Sequence, residues 1–328
     1  MADHDDVANL HPPPLRRLRF LLEYALVASI GWWVRLWPRR MSLAGGAILG
    51  RLAGLALGAD RRVAMANLDL VLGDAVPSSR KRKIASRTFA RLGRVVVGLL
   101  WAPRLTPKNV ADWCDSADLN RLLTDLQSRG RGVVLATVHY GDWELSCLNS
   151  GLAGLPIMMV TEPLTNPRLS AMFDRLRSCT GNKVVPPKYA VLKLFRGLRR
   201  GERVAVMCDV NGRRGRGGVW ADFFGRPVFN GVAAAELALR TNAAVVFVAS
   251  MPQPGGRHVV KVWPVIEPEP TDDHAADVQR VTQRLVDCHA ELLKLEPEPW
   301  LWTYKRWKRK PAPDASGFPF YASHKRVE

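Results

Sequence analysis

From Gly132 onward the chain alternates short apolar runs of strand length with amphipathic segments of helix length, and nothing else in the sequence constrains its fold as strongly. Residues 133–138 read as a buried strand, followed by a helix over about 142–152. Residues 156–161 form a second strand, and 167–180 a helix with Leu169, Met172, Phe173 and Leu176 on one face. A short strand at 184–185 leads to a helix over 189–200 ended by Gly201. Residues 204–208 form a strand that runs into a Gly/Arg-rich loop, 212–218. A helix over 232–241, strands over 245–250 and 259–265, and a long helix over 275–295 complete the pattern. This order predicts a single α/β domain with a central mixed sheet flanked by helices.

Residues 20–34 are apolar except for Glu23 and Ser29, with Arg16, Arg17 and Arg19 before them and Arg35, Arg39 and Arg40 after. At about 1.5 Å per residue this segment is roughly 22 Å long, short of the roughly 30 Å hydrocarbon core of a bilayer. Trp32, Trp33 and Trp37 suit the water–lipid boundary. The segment reads as a helix embedded in the cytoplasmic leaflet or barely spanning; the alternative is a buried amphipathic core helix. A second apolar stretch, 43–58, is broken by Arg51 alone and carries Gly46, Gly50, Gly54 and Gly58 at a four-residue spacing. That spacing permits close helix packing, in a membrane or in a soluble core alike. The expected organisation is an N-terminal membrane-anchoring segment (1–40), an α/β domain (41–311) and a loosely ordered tail (312–328). No signal peptide is visible, because the start is acidic and no small-residue cleavage site follows the apolar run.

Lys and Arg number 48 against 30 Asp and Glu, a net charge of +18 that predicts an anionic partner. Nucleic acid, an anionic membrane surface and an acidic substrate all meet that description. The 11 tryptophans favour the membrane, and neither an aromatic RNA-binding string nor a zinc-finger spacing is present, so no nucleic acid is expected. Hydrophobic residues at 47% exclude an intrinsically disordered tail and a polytopic transporter. Cys114, Cys147, Cys179, Cys208 and Cys288 are odd in number and never spaced C-x-x-C, which argues against a disulfide or zinc framework.

His139-Tyr140-Gly141-Asp142-Trp143-Glu144 directly follows the strand 133–138, and ligands in open α/β sheets gather beyond strand carboxyl ends. A histidine beside carboxylates there has the makings of a general base with an orienting acid; the alternative is a pair of surface or capping residues. On an ideal helix residues i and i+5 lie roughly 140° apart. His139 and Glu144 therefore meet only if His139 lies in the turn before the helix, with Gly141 supplying the bend. Asp142, at i+3, is the rival partner. Arg213, Arg214 and Arg216 among four glycines could bind phosphate or form an ordinary loop; the P-loop pattern is absent. Lys305, Arg306, Lys308, Arg309 and Lys310 with Trp302 and Trp307 read as a docking patch for a membrane or an acidic carrier protein, or as a solvated end.

His-Tyr-Gly-Asp-Trp-Glu after an apolar strand resembles the H-x-x-x-x-[DE] motif of the bacterial lipid A lauroyl/myristoyl acyltransferases. Further segments agree in order: Asn166-Pro167 followed by Arg177 and Gly181, Asp209 closing a strand, Phe223-Phe224-Gly225-Arg226-Pro227, and Glu298-Pro299-Trp300 through Arg306-Trp307-Lys308. The arginine-rich N-terminal helix and residues 62–71 are also typical of that family. Val210 stands where the family usually has Gln, Asp142 where Asn is usual, and Thr161-Glu162-Pro163 lacks an expected arginine.

The resemblance implies an O-acyltransferase on the cytoplasmic face of the bacterial inner membrane. Its donor would be an acyl-carrier-protein thioester or acyl-CoA. Its acceptor would be a hydroxyl of a glycolipid, such as a lipid A precursor or a mannosylated phosphatidylinositol. The implied roles are His139 as base, Glu144 as the group that fixes its tautomer, and Arg177, Asp209 and Arg226 as substrate-binding residues. Arg177 and Asp209 could alternatively form a structural ion pair beneath the site. No metal, organic cofactor or acyl-enzyme is implied, and Cys147 reads as a small core residue. The rival class is a non-catalytic basic membrane- or nucleic-acid-binding protein, which has no reason to place a strand–His–turn–Glu junction in a cleft.

Overall fold

Apolar helices open the chain, in the computed structural model that describes residues 13–212 and 217–324. They are α1 (Pro14–Val34), α2 (Arg39–Ala56), α3 (Gly58–Leu72) and α4 (Ser78–Trp101). The alternating region follows as β1 (Cys114–Asp115), α5 (Ala117–Ser128), β2 (Val133–Thr137), α6 (Trp143–Leu152), β3 (Ile157–Val160), α7 (Pro167–Ser178), β4 (Lys183–Val185), α8 (Ala190–Arg199) and β5 (Arg203–Met207). A hairpin, β6 (Val219–Asp222) and β7 (Pro227–Asn230), then precedes α9 (Ala233–Thr241), β8 (Ala244–Gln253), β9 (Arg257–Val262) and α10 (His274–Leu295).

The sheet order is β1-β9-β8-β2-β5-β3-β4. Only the β8–β9 pair is antiparallel, so the sheet is mixed, as the alternation predicts. β2 lies between β8 and β5 with all five residues buried, which is why its sequence is continuously apolar. Its alternate residues feed two cores. Val134, Ala136 and Val138 pack on the side of α9, α10 and the C-terminal tryptophans, and Val133 and Leu135 on the side of α4, α5 and α6. The β6–β7 hairpin, which carries the Phe223–Pro227 segment, is not visible in the apolar pattern.

The glycine spacing in α2 is a helix contact within the fold. A methyl group on Gly50 would stand 2.1 Å from the carbonyl oxygen of Phe89 in α4, and one on Gly46 would meet Gly93 and Val97. Gly45 and Gly58 face open space.

Among the described residues no single helix is long and apolar enough to cross a membrane; 39–56 with 58–75 pass together, but bent by 95°. Within the described part of the N-terminal segment, Phe20 and Val34 are buried, and Asn166 donates to the Phe20 carbonyl (2.9 Å) and to Glu23 (2.9 Å). The outer face of α1 and α2 nevertheless leaves Leu15, Leu18, Leu22, Leu26, Ile48 and Leu55 exposed.

Within the described part of the tail, two backbone hydrogen bonds join Ser323 to the 308–310 segment. The Ser323 amide donates to the Lys308 carbonyl (3.0 Å) and the Lys310 amide to the Ser323 carbonyl (3.2 Å). Tyr321 donates to the Asn67 side chain. Residues 325–328 lie outside the described residues, as do Arg213, Arg214 and Arg216.

Candidate active site

Strand register brings the site together. β2 and β5 are parallel neighbours with Thr137 opposite Met207, so each chain two residues further on delivers its side chain at the same sheet edge. Those residues are His139 and Asp209. The Cys208 amide donates to the Thr137 carbonyl at 2.7 Å and keeps the two ends aligned. Nδ1 of His139 lies 3.0 Å from Asp209 Oδ1, and the His139 backbone N–H donates to Oδ2 at 2.9 Å. Asp209 is fully buried, and the His139 side chain keeps 26% exposure. In the neutral imidazole whose Nδ1–H donates to this carboxylate, Nε2 is the unprotonated nitrogen.

Gly141 makes the turn possible. Its φ is +62°, and a Cβ there would stand 1.8 Å from the Ser250 carbonyl oxygen, so no other residue fits. Asp142 then caps α6, accepting from the Leu145 amide at 3.0 Å, with Arg39 at 3.5 Å. The rival carboxylate is thus a helix cap.

Glu144 does not hold His139. Arg177 at the end of α7 binds it through Nε (3.1 Å to each oxygen) and Nη2 (2.7 Å to Oε1). The expected pairing is corrected on this point: the tautomer-fixing contact belongs to Asp209, and Glu144 belongs to an adjacent ion pair. Arg177 and Asp209, weighed as a mutual ion pair, have separate partners. Glu144 still reaches the imidazole through its charge. Burial pushes His139 down, but the charge and hydrogen bond of Asp209, with the charge of Glu144, hold it above its usual 6.5. Burial would raise Asp209; His139, His289 and Trp300 instead hold it well below the usual carboxylate range. Burial pushes the Cys147 thiol up to about 12, so it stays protonated and is no nucleophile at neutral pH.

The C-terminal motif forms the wall behind Asp209. Tyr140 bridges to Trp300, the Gly141 amide donates to the Pro299 carbonyl (3.1 Å), and the Leu301 amide donates to the His139 carbonyl (3.0 Å). The Trp300 indole donates to Asp209 Oδ2 at 3.0 Å. Trp300, Trp302, Arg306 and Trp307 are fully buried, and Phe223 of the hairpin stacks on His289 and Trp307. This corrects the docking-patch reading for Arg306, whose Nη2 donates to Asn230 inside the core (2.5 Å); Lys305 and Lys308 remain exposed. Arg226 sits at the hairpin turn against Gly317, with no hydrogen bond to the His139 cluster among the described residues. Sequence reasoning assigned no role to Trp300 or Asn67, which lie in segments it did single out, and missed His289. Their signal is long-range: Asn67, in the 62–71 segment, donates to the carbonyls of Trp302 (2.7 Å) and Tyr304 (2.8 Å). Among the described residues no three His, Cys, Asp or Glu side chains converge as a metal-binding group.

A model of the bacterial lipid A biosynthesis acyltransferases matches residues 13–309. A phosphatidylinositol mannoside acyltransferase of Mycolicibacterium smegmatis is 27% identical over 230 residues, 67% of this chain and 70% of its own. A lipid A biosynthesis acyltransferase of Shigella flexneri is 25% identical over 313 residues, covering 94% of this chain and 95% of its own. A lipid A biosynthesis lauroyltransferase of Escherichia coli is 23% identical over 311 residues, covering 93% and 95%. The match takes in every helix and strand from α1 to the buried tryptophans behind Asp209, and the chain, an acyltransferase, belongs to the bacterial lipid A biosynthesis acyltransferase family.

Proposed function

We propose that the protein transfers a fatty acyl chain from an acyl-carrier-protein thioester, or from acyl-CoA, to a hydroxyl of a membrane glycolipid. The observation that carries this reading is the His139–Asp209 pair, which presents Nε2 as a base beyond the carboxyl ends of the central strands β2 and β5. The acceptor hydroxyl attacks the thioester carbonyl and its proton passes to Nε2 as the C–O bond forms. The tetrahedral intermediate then collapses with cleavage of the C–S bond, and the imidazolium returns the proton to the leaving thiolate. Asp209 stabilises the imidazolium between these steps.

The acceptor we favour is a lipid A precursor. A mannosylated phosphatidylinositol is the second reading. It is supported by the relative from Mycolicibacterium smegmatis and by Glu162, an exposed acid beyond β3 that suits a headgroup with fewer phosphates. The working site is the cytoplasmic face of the bacterial inner membrane. The exposed leucines of α1 and α2, with arginines at their ends, suit insertion into an anionic leaflet at shallow depth. The net charge of +18 suits an acidic carrier protein as donor.

The test is transfer by the purified protein, read by mass spectrometry of the lipid product. Acyl-carrier-protein and acyl-CoA donors are each paired with a lipid A precursor and with phosphatidylinositol mannoside. Acylated glycolipid that disappears in His139→Ala is expected. Thioester turnover unchanged in His139→Ala would overturn the reading.

A further inference from the structure

The indole of Trp300 stands on the side of Asp209 away from the imidazole. Its N–H donates to Oδ2 at 3.0 Å, the same oxygen that accepts the His139 backbone N–H at 2.9 Å, while Oδ1 faces Nδ1. Both Trp300 and Asp209 are fully buried, so this hydrogen bond acts without competition from water. The ring cannot swing away. Trp302 meets it edge-on at 4.8 Å, His289 at 5.0 Å and Phe223 at 6.4 Å, and its backbone bridges to Tyr140 beside His139.

We propose that Trp300 is a positioning residue for the acyl transfer: its indole N–H fixes and tempers the Asp209 carboxylate, and through it sets the basicity of His139. A carboxylate that shares its charge with a third donor pulls less strongly on the imidazolium than one bonded to His139 alone. Trp300 therefore moderates the rise that Asp209 imposes on His139, while Asp209 still dictates the tautomer. This rests on the reading of His139 as the base.

The other groups around the pair leave the effect attributable to Trp300. Glu144, from α6, acts on His139 by charge and is itself clamped by Arg177. His289, from α10, is pushed by burial to about 3 and stays neutral across an assay range. Burial lowers Arg306, behind Cys208 and Asp209, while the Asp209 charge opposes that shift, and burial raises the Cys208 thiol well out of range.

The experiment is the pH profile of kcat/KM for Trp300→Phe, Trp302→Phe, Asp209→Asn and the Trp300→Phe/Asp209→Asn double variant. Trp302 serves as control because its indole donates to the Pro297 carbonyl (2.8 Å) and not to Asp209. Trp300→Phe is expected to move the acid limb up by roughly half a unit to one unit. Asp209→Asn is expected to move it down, Trp302→Phe to leave it in place, and the Trp300→Phe shift to vanish in the double variant. An acid limb that stays put or falls in Trp300→Phe overturns the inference. If Trp300→Phe does not fold, benzothienylalanine at position 300 keeps the ring shape and removes only the N–H; the same upward shift is then required. Activity that survives His139→Ala would instead overturn the base assignment itself, whatever Trp300 does.

Discussion

Glu144 and Arg177 close a three-hydrogen-bond clamp, so the carboxylate five residues after His139 ties the start of α6 to the end of α7 and acts on the imidazole only through its charge. Glu144 and Asp209 then carry different loads, and their substitutions separate. His139→Ala and Asp209→Asn are expected to cost about 10²- to 10⁴-fold in kcat, the range for loss of a general base or its orienter. Glu144→Gln should cost less and lower the melting temperature, since it breaks a largely buried ion pair. Asp142→Asn should leave kcat near wild type. Parallel melts and initial rates check the order; Glu144→Gln more damaging to kcat than Asp209→Asn would reverse the two roles.

The pair also fixes the pH response. The base must be neutral, and its pKa is raised above 6.5, so activity should rise with pH through a limb above that value. In stability the signs are opposite. The lowered Asp209 contributes above its unfolded value of about 3.9, and this is lost as pH falls; the raised His139 contributes below about 6.5, and this is lost as pH rises through its folded value. Urea melts should therefore place the pair's largest contribution between about pH 4 and 6.5, and Asp209→Asn should flatten that dependence.

Gly50 and Gly45 lie five residues apart on α2 and should behave as opposites. Gly50→Val drives a side chain into the Phe89 backbone and is expected to cost roughly 1–3 kcal/mol or more. Gly45→Ala meets nothing and should be neutral or stabilising through helix propensity. Chemical denaturation of the two variants decides it.

Arg306 and its charged neighbours should divide in the same way. Arg306→Ala empties a core position and leaves Asn230 without its partner, at a cost of roughly 2–5 kcal/mol. Lys305→Gln with Lys308→Gln should leave stability within about 0.5 kcal/mol. The pair should raise the donor KM and flatten its salt dependence with kcat kept. Unchanged salt dependence in the lysine pair would remove carrier docking from this segment.

Membrane attachment is testable without disturbing the fold, because Leu22 and Leu26 are more than 60% exposed. Changing both to Ser removes apolar surface worth about 1.5–3 kcal/mol per side chain when buried in lipid. Partitioning into anionic vesicles should fall about tenfold or more, with the melting temperature unchanged.

The strand 133–138, its histidine and the helix after Gly141 were legible because they are local: an apolar run, a glycine and a carboxylate cap within a dozen residues. The partner of His139 was not. Asp209 is 70 positions away, and its pairing follows from the β2–β5 register, which no spacing in one strand encodes. Trp302, Trp307 and Arg306 misled for a related reason. Aromatic and basic residues in a C-terminal run look like a surface patch until the hairpin carrying Phe223 and the helix carrying Asn67 are known to cover them.

Asn166 has a mechanical consequence. Its side chain caps α7 through the Arg168 amide and holds the Phe20 carbonyl of α1, and Arg177 near the far end of α7, roughly 16 Å along the axis, grips Glu144 beside His139. Helix α1, with its row of exposed leucines, and the loop bearing His139 are thus joined by one rigid rod. A truncation that removes α1 takes away more than an apolar face: it unseats a lever whose other end lies beside His139.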